Sequence, residues 1–208
     1  MKLVDHRVCE FLDVMASDAP APGGGSASAL SAAMGASLTS MVAALTLGKP
    51  KYAEFEQLAK EIVSAMNKLR KELADAVDRD TEAYNGVGAV FAMPKATDEE
   101  KAARKQAMQD ALKQATLVPL EVMRLALAGL ELTASCVGKT NPNAASDLGV
   151  ASLTLLAGVK GAWLNVLINL SGVTDDSFVR DCKAKGGEMF ASADTLAGEV
   201  YSKVETSL

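Results

Sequence analysis

From residue 21 to residue 48 the chain carries no charged side chain, and the stretch APGGGSASALSAAMGASL at residues 21–38 is built almost wholly from small residues. A helix of this composition has no face to offer water, so it must be buried on most sides or lie in lipid. A phosphate cradle would need a preceding strand and a lysine or third glycine at fixed spacing, and neither is present. A membrane span is long enough here, but Ser26, Ser28, Ser31, Ser37, Thr39 and Ser40 dilute its apolarity and no aromatic belt flanks it. What remains is a helix whose small faces let neighbouring backbones approach closely, entered through a Pro/Gly loop with free N–H groups at its mouth. Two versions of that reading stay open: tight packing alone, or amides that also meet an anion.

The rest of the composition agrees with helices. Of 208 residues, 49% are hydrophobic but only 4% aromatic, so the core must be Ala, Leu, Val and Met, which favours helix over sandwich. A net charge of -5 gives no attraction to a nucleic-acid backbone. Cys9, Cys136 and Cys182 are isolated and odd in number, and His6 is the only histidine, so neither a disulfide framework, nor a zinc cluster, nor a His-dependent triad is expected. The N-terminal MKLVDHRVCEFLDV is interrupted by charge and does not read as a secretory signal; a cytoplasmic protein with no membrane or nucleic-acid partner is expected.

Hydrophobic spacing predicts a short helix capped by Asp5 and ending before Pro20. A second follows with Ser26 as N-cap and Leu30, Met34, Leu38, Met41 and Leu45 in register. One long helix is expected from about residue 50 to residue 92, stopped by Pro94. Thr97 with Glu100 forms a capping box for the next, which Pro119 kinks or divides. Further helices are expected at about 146–170 and from Asp176 onward, the last with Gly186-Gly187 as a potential kink. With no convincing strand, the fold expected is a single all-α domain over 1–208, a compact bundle of six or seven helices.

Two anomalies point to a site. Ile62, Met66, Leu69, Leu73, Val77, Tyr84 and Val87 form one apolar stripe on the long helix, and Asp80 lies in its middle, whereas Asp78 points away. An ionised carboxylate there needs a cationic partner or a wet pocket, so Asp80 is either half of an internal ion pair or a site carboxylate with a tuned pKa. On the 146–170 helix, Asp147, Ala151, Thr154, Gly158, Ala162, Asn165 and Asn169 make a small or polar stripe without the Lys and Glu of a solvated face. Such a stripe suits a ligand or a close neighbouring helix, and Asp147 also suits the positive end of its own helix.

Three segments, PAPGGGSASALSAAMGASL, DRDTEAYNGV followed by MPK, and TNPNAASDLGVASLTLLAGVKGAWLNVLINL, together closely resemble the formiminotransferase-cyclodeaminase family, specifically its cyclodeaminase domain and the stand-alone methenyltetrahydrofolate cyclohydrolases similar to it. The resemblance covers nearly the whole chain without the transferase portion. It implies an all-helical homodimer or higher homo-oligomer acting on a tetrahydrofolate derivative, polyglutamylated or not, with no cofactor beyond that substrate. Carried over by motif, Asp80 is implied as the proton-accepting residue, and Gly23, Gly24, Gly25, Ser26, Tyr84, Lys95, Asn141, Asn143 and Asp147 as substrate-binding residues. Lys49, Lys51, Lys95 and Lys139 adjoin these motifs, where a glutamate tail would need cations.

Two reactions share the 5,10-methenyltetrahydrofolate cation. The cyclohydrolase adds water to the methenyl carbon and opens the ring to 10-formyltetrahydrofolate; the cyclodeaminase closes the ring from 5-formiminotetrahydrofolate and releases ammonia. Both need a group that removes a proton during addition, which a carboxylate in apolar surroundings can do. The cyclohydrolase is favoured because no transferase portion accompanies the chain; the cyclodeaminase and a non-enzymatic helical interaction module are the alternatives.

Overall fold

A computed structural model describes residues 2–208. The helices are α1 (Val8–Met15), α2 (Gly24–Ala44), α3 (Glu56–Phe91), α4 (Asp98–Cys136), α5 (Ala145–Leu170) and α6 (Asp176–Ser207), with short 3-10 turns at Leu3–Asp5, Pro50–Phe55 and Pro142–Ala144. No strand occurs among the described residues. Helices α2 to α5 run up, down, up, down around a common core, and α6 closes the α4–α5 side. Phe11 is the one fully buried side chain of α1.

The uncharged run becomes α2, and it is buried against three helices at once. Its small residues meet the small stripe of α5 so closely that a Cβ on Gly35 would lie 2.8 Å from the Ala151 carbonyl oxygen, and one on Gly158 would lie 3.0 Å from that of Ser28. Hydroxyls satisfy themselves within this dry contact: Ser31 Oγ donates to the Thr154 carbonyl at 2.9 Å, and Thr39 and Thr133 share a 2.8 Å hydrogen bond across the diagonal to α4. Both α2 and the stretch Pro142–Leu170 are long and apolar enough to cross a bilayer, and in the bundle each contributes a large part of the core.

Several boundaries differ from the sequence expectation. Arg7, not Asp5, precedes α1; its backbone N–H is held by the Glu10 carboxylate at 2.9 Å. Ser26 is not the N-cap of α2, because the glycines themselves continue into the helix and Gly23 takes that place. The segment from Pro50 is a separate 3-10 turn, kinked at the non-helical Tyr52, and α3 starts only at Glu56. Pro119 neither divides nor ends α4. The N–H it lacks would have bonded the Ala115 carbonyl, and that oxygen instead accepts from Asn169 Nδ2 at 2.7 Å. Gly186 does not break α6; its missing side chain makes room for the Trp163 ring. Asp78 is half-buried under the N-terminal turn, where the Leu3 amide donates to it at 2.6 Å. The Thr97–Glu100 capping box forms as expected.

Gly35→Ala should therefore force α2 off α5 and destabilise the fold by roughly 1–3 kcal/mol, seen as a lower urea midpoint with an unchanged slope.

Candidate functional site

The first turn of α2 faces the middle of α3. Because Ala27 N–H already bonds the Gly23 carbonyl, the amides of Gly24, Gly25 and Ser26 are the ones that open the helix without an intrahelical acceptor. Asp80 lies against this turn. Its Oδ2 accepts from Ser26 Oγ at 2.9 Å, and that hydroxyl is also 3.1 Å from the Val77 carbonyl and 3.3 Å from Thr81 Oγ1. A Cβ on Gly25 would be 2.6 Å from Asp80 Oδ2, so only glycine lets the carboxylate sit here.

No Lys or Arg pairs with Asp80 among the described residues, which removes the ion-pair explanation for its place in the apolar stripe. Burial is the largest influence on its pKa and raises it above the ordinary carboxylate range; hydrogen bonds from the Ser26 hydroxyl and amide oppose the rise without cancelling it. The outcome is a basic, ionisable carboxylate at the edge of a cavity.

That cavity is about 310 Å³ and is walled by Pro20, Ala21 and the three glycines on one side, by Asp80, Tyr84 and Val87 of α3, and by Ala115, Asn165, Ile168 and Asn169 on the others. Its size is in the range of small-molecule sites. Tyr84 is half exposed at the rim, one helical turn from Asp80. Asn165 and Asn169 were not among the substrate-binding residues expected from the motifs, although both belong to the small and polar stripe of α5. Their Nδ2 groups donate to the Gly161 carbonyl at 2.9 Å and the Ala115 carbonyl at 2.7 Å, and neither Oδ1 accepts a hydrogen bond among the described residues. Two acceptors therefore stand across the cavity from Asp80.

The remaining expected residues lie elsewhere in the subunit. Lys95 belongs to a neighbouring shelf with Lys101, Arg104 and Lys105, reached by going one turn further along α3 and two along α4. Asn141, Asn143 and Asp147 sit at the opposite end of α5, with Asp147 about 27 Å from Asn165 by helical rise. Asn141 is buried and holds its own loop together, its Oδ1 accepting from the Asn143 amide at 3.1 Å and from Tyr52 Oη at 3.4 Å, while its amide donates to Thr46 Oγ1 at 3.0 Å. Asn143 is exposed. Asn141, but neither Asn143 nor Asp147, borders a second cavity, about 460 Å³, with Lys51, Tyr52, Lys139 and Lys203 at its edge. One subunit thus does not bring the NPNAASD loop to Asp80.

Comparison with known proteins bears on this arrangement. The family model described as Formiminotransferase-cyclodeaminase matches residues 7–187. A methenyltetrahydrofolate cyclohydrolase of Methylorubrum extorquens is 42% identical over 198 residues, covering 95% of both chains. The formimidoyltransferase-cyclodeaminase of Sus scrofa is 35% identical over 198 residues, and there the match covers 94% of this chain but 36% of the relative. The crystal structure of formiminotetrahydrofolate cyclodeaminase from Thermotoga maritima superposes with a TM-score of 0.87 at 30% identity, covering 97% of each chain.

Two outcomes follow from the geometry. Pro119→Ala restores an N–H that competes for the Ala115 carbonyl, releases Asn169, and should raise KM for the bound substrate about fivefold while leaving kcat nearly unchanged, from the loss of one positioning hydrogen bond. Because the folded pKa of Asp80 is raised, the folded state binds more protons than the unfolded chain between the ordinary carboxylate pKa and the raised one. Across that window wild type should lose stability relative to Asp80→Asn as pH rises, measured by urea unfolding of both proteins.

Proposed function

The chain belongs to the formiminotransferase-cyclodeaminase family, and from that premise we propose that it hydrolyses 5,10-methenyltetrahydrofolate to 10-formyltetrahydrofolate with Asp80 as general base. The single observation that carries the assignment of Asp80 is its position, half-buried without a cation, at the mouth of the α2 amides and on the wall of a cavity of substrate size. The cyclohydrolase is preferred because the Methylorubrum extorquens enzyme is 42% identical, against 35% for the Sus scrofa relative and 30% for the Thermotoga maritima cyclodeaminase.

In this reading the ionised Asp80 stabilises the bound methenyl cation and takes a proton from a water molecule as its oxygen bonds to the methenyl carbon. The same proton passes to N5 as the C–N5 bond breaks and its electron pair returns to nitrogen; loss of the carbinol proton completes 10-formyltetrahydrofolate and releases one proton overall. The carbon attacked is already cationic, so the chemistry calls for no Lewis acid or redox cofactor. Asn165 and Asn169 offer acceptors to the amino and ring N–H groups of the pterin. The shelf of Lys95, Lys101, Arg104 and Lys105 lies where a glutamate tail leaving the cavity along α3 and α4 would meet it. We propose a homo-oligomer, supported by the apolar surface that α2 and α5 leave uncovered.

The similarity to the Thermotoga maritima protein favours one second reading, cyclodeaminase activity at the same carboxylate. The near-ultraviolet band of the methenyl compound distinguishes them. Wild type should accelerate its decay beyond the spontaneous rate, and Asp80→Asn should lose about 10²–10⁴ of that acceleration. Growth of the band with ammonia release from 5-formiminotetrahydrofolate, without accelerated decay of the methenyl compound, would establish the cyclodeaminase instead.

A further inference from the structure

Ser26 is wholly buried, and its hydroxyl has one hydrogen for three oxygen neighbours: Asp80 Oδ2 at 2.9 Å, the Val77 carbonyl at 3.1 Å and Thr81 Oγ1 at 3.3 Å. Two of these, the ionised carboxylate and the carbonyl, can only accept. The hydrogen therefore serves one of them at a time. While Asp80 is ionised it must point at Oδ2, because a hydroxyl lone pair turned towards a half-buried carboxylate would set like charges against each other. When Oδ2 carries a proton the demand reverses: Asp80 becomes the donor, the Ser26 oxygen the acceptor, and the freed hydrogen has the Val77 carbonyl within reach. Thr81 fills the remaining lone pair of Ser26 in either state, since its own hydroxyl can donate.

We propose that Ser26 is a positioning residue for Asp80, its hydroxyl turning between the carboxylate and the Val77 carbonyl as the proton on Asp80 comes and goes. The inference rests on the hydrolytic reading for the use made of that proton, but its geometry stands without it. A base that takes a proton from water and returns it to N5 passes through both charge states in each turnover, and a partner for only one of them would hold the group there. Burial favours the protonated form of Asp80. The Ser26 hydroxyl favours the ionised form, because the charge-assisted bond is the stronger of the two it makes. Among the described residues no other group competes for this control. Helix α2 carries no charge along its length, α4 and α5 present Ala115, Asn165 and Asn169, and Tyr84 is the one other titratable side chain on the cavity wall.

Carbon-13 NMR of the full chain tests this. The Asp80 carboxyl resonance is identified by comparison with Asp80→Asn. Across the pH range in which it titrates, the Val77 carbonyl resonance of wild type should move with the same midpoint, and in Ser26→Ala that movement should be lost. A Val77 carbonyl that stays still, or one that moves equally in Ser26→Ala and so reports only the field of the charge, overturns the turning hydroxyl. Ser26→Ala should also shift the Asp80 midpoint to higher pH and cost about fivefold in kcat/KM for methenyl hydrolysis on the acid limb of the pH profile, with less change on the plateau. An unchanged midpoint, with or without a loss of stability, makes Ser26 a packing residue alone and overturns its positioning role. If wild type itself shows no methenyl hydrolysis, the folate reading fails and the two resonances alone decide the role of Ser26.

Discussion

The structure depends on how closely α2 can approach α5. Gly35 and Gly158 remove the side chains that would hold the helices apart, and the Ala and Ser residues around them fill the contact without leaving room for water. That approach sets the position of the first turn of α2, and the first turn sets where Asp80 can lie. A larger residue in the seam would shift the Asp80 carboxylate relative to the α2 amides. The small-residue composition of the run is therefore as much a requirement of the site as of the core.

Pro119 shows the same coupling from the other side. An imino acid in the middle of a 39-residue helix is costly unless the carbonyl it orphans finds another donor. Asn169 supplies that donor, and in doing so it is fixed with its acceptor oxygen free at the cavity. The irregularity in α4 and the polar wall of α5 are one device: the helix defect orients a side chain that would otherwise be a mobile amide on a helix surface.

How much of this was legible beforehand follows from which interactions are local. Helix existence, the capping box at Thr97 and the anomaly of Asp80 all follow from spacing along one helix, and each is found where the pattern placed it. Ser26 was misplaced as a cap because capping preference is a statement about isolated helix ends, and here a carboxylate 54 residues away claims the hydroxyl. The break at Tyr52 follows tertiary placement of the turn against Asn141 and has no periodic signal. Asn165 and Asn169 were visible as a stripe but not as site residues, since their role depends on the α4 carbonyl and the α2 glycines that face them. The distance between Asp80 and the NPNAASD loop could not be read from motifs at all, because motifs record which residues occur together and not how far apart the folded chain sets them.

The carboxylate is sealed on its inner side. Gly25, Ser26 and Val77 are buried behind it, and its open side faces the cavity. A ligand filling the cavity covers that open side. In the proposed reading the proton that Asp80 hands on to N5 then never leaves the site, and only the one lost from the carbinol has to wait for the ligand to move.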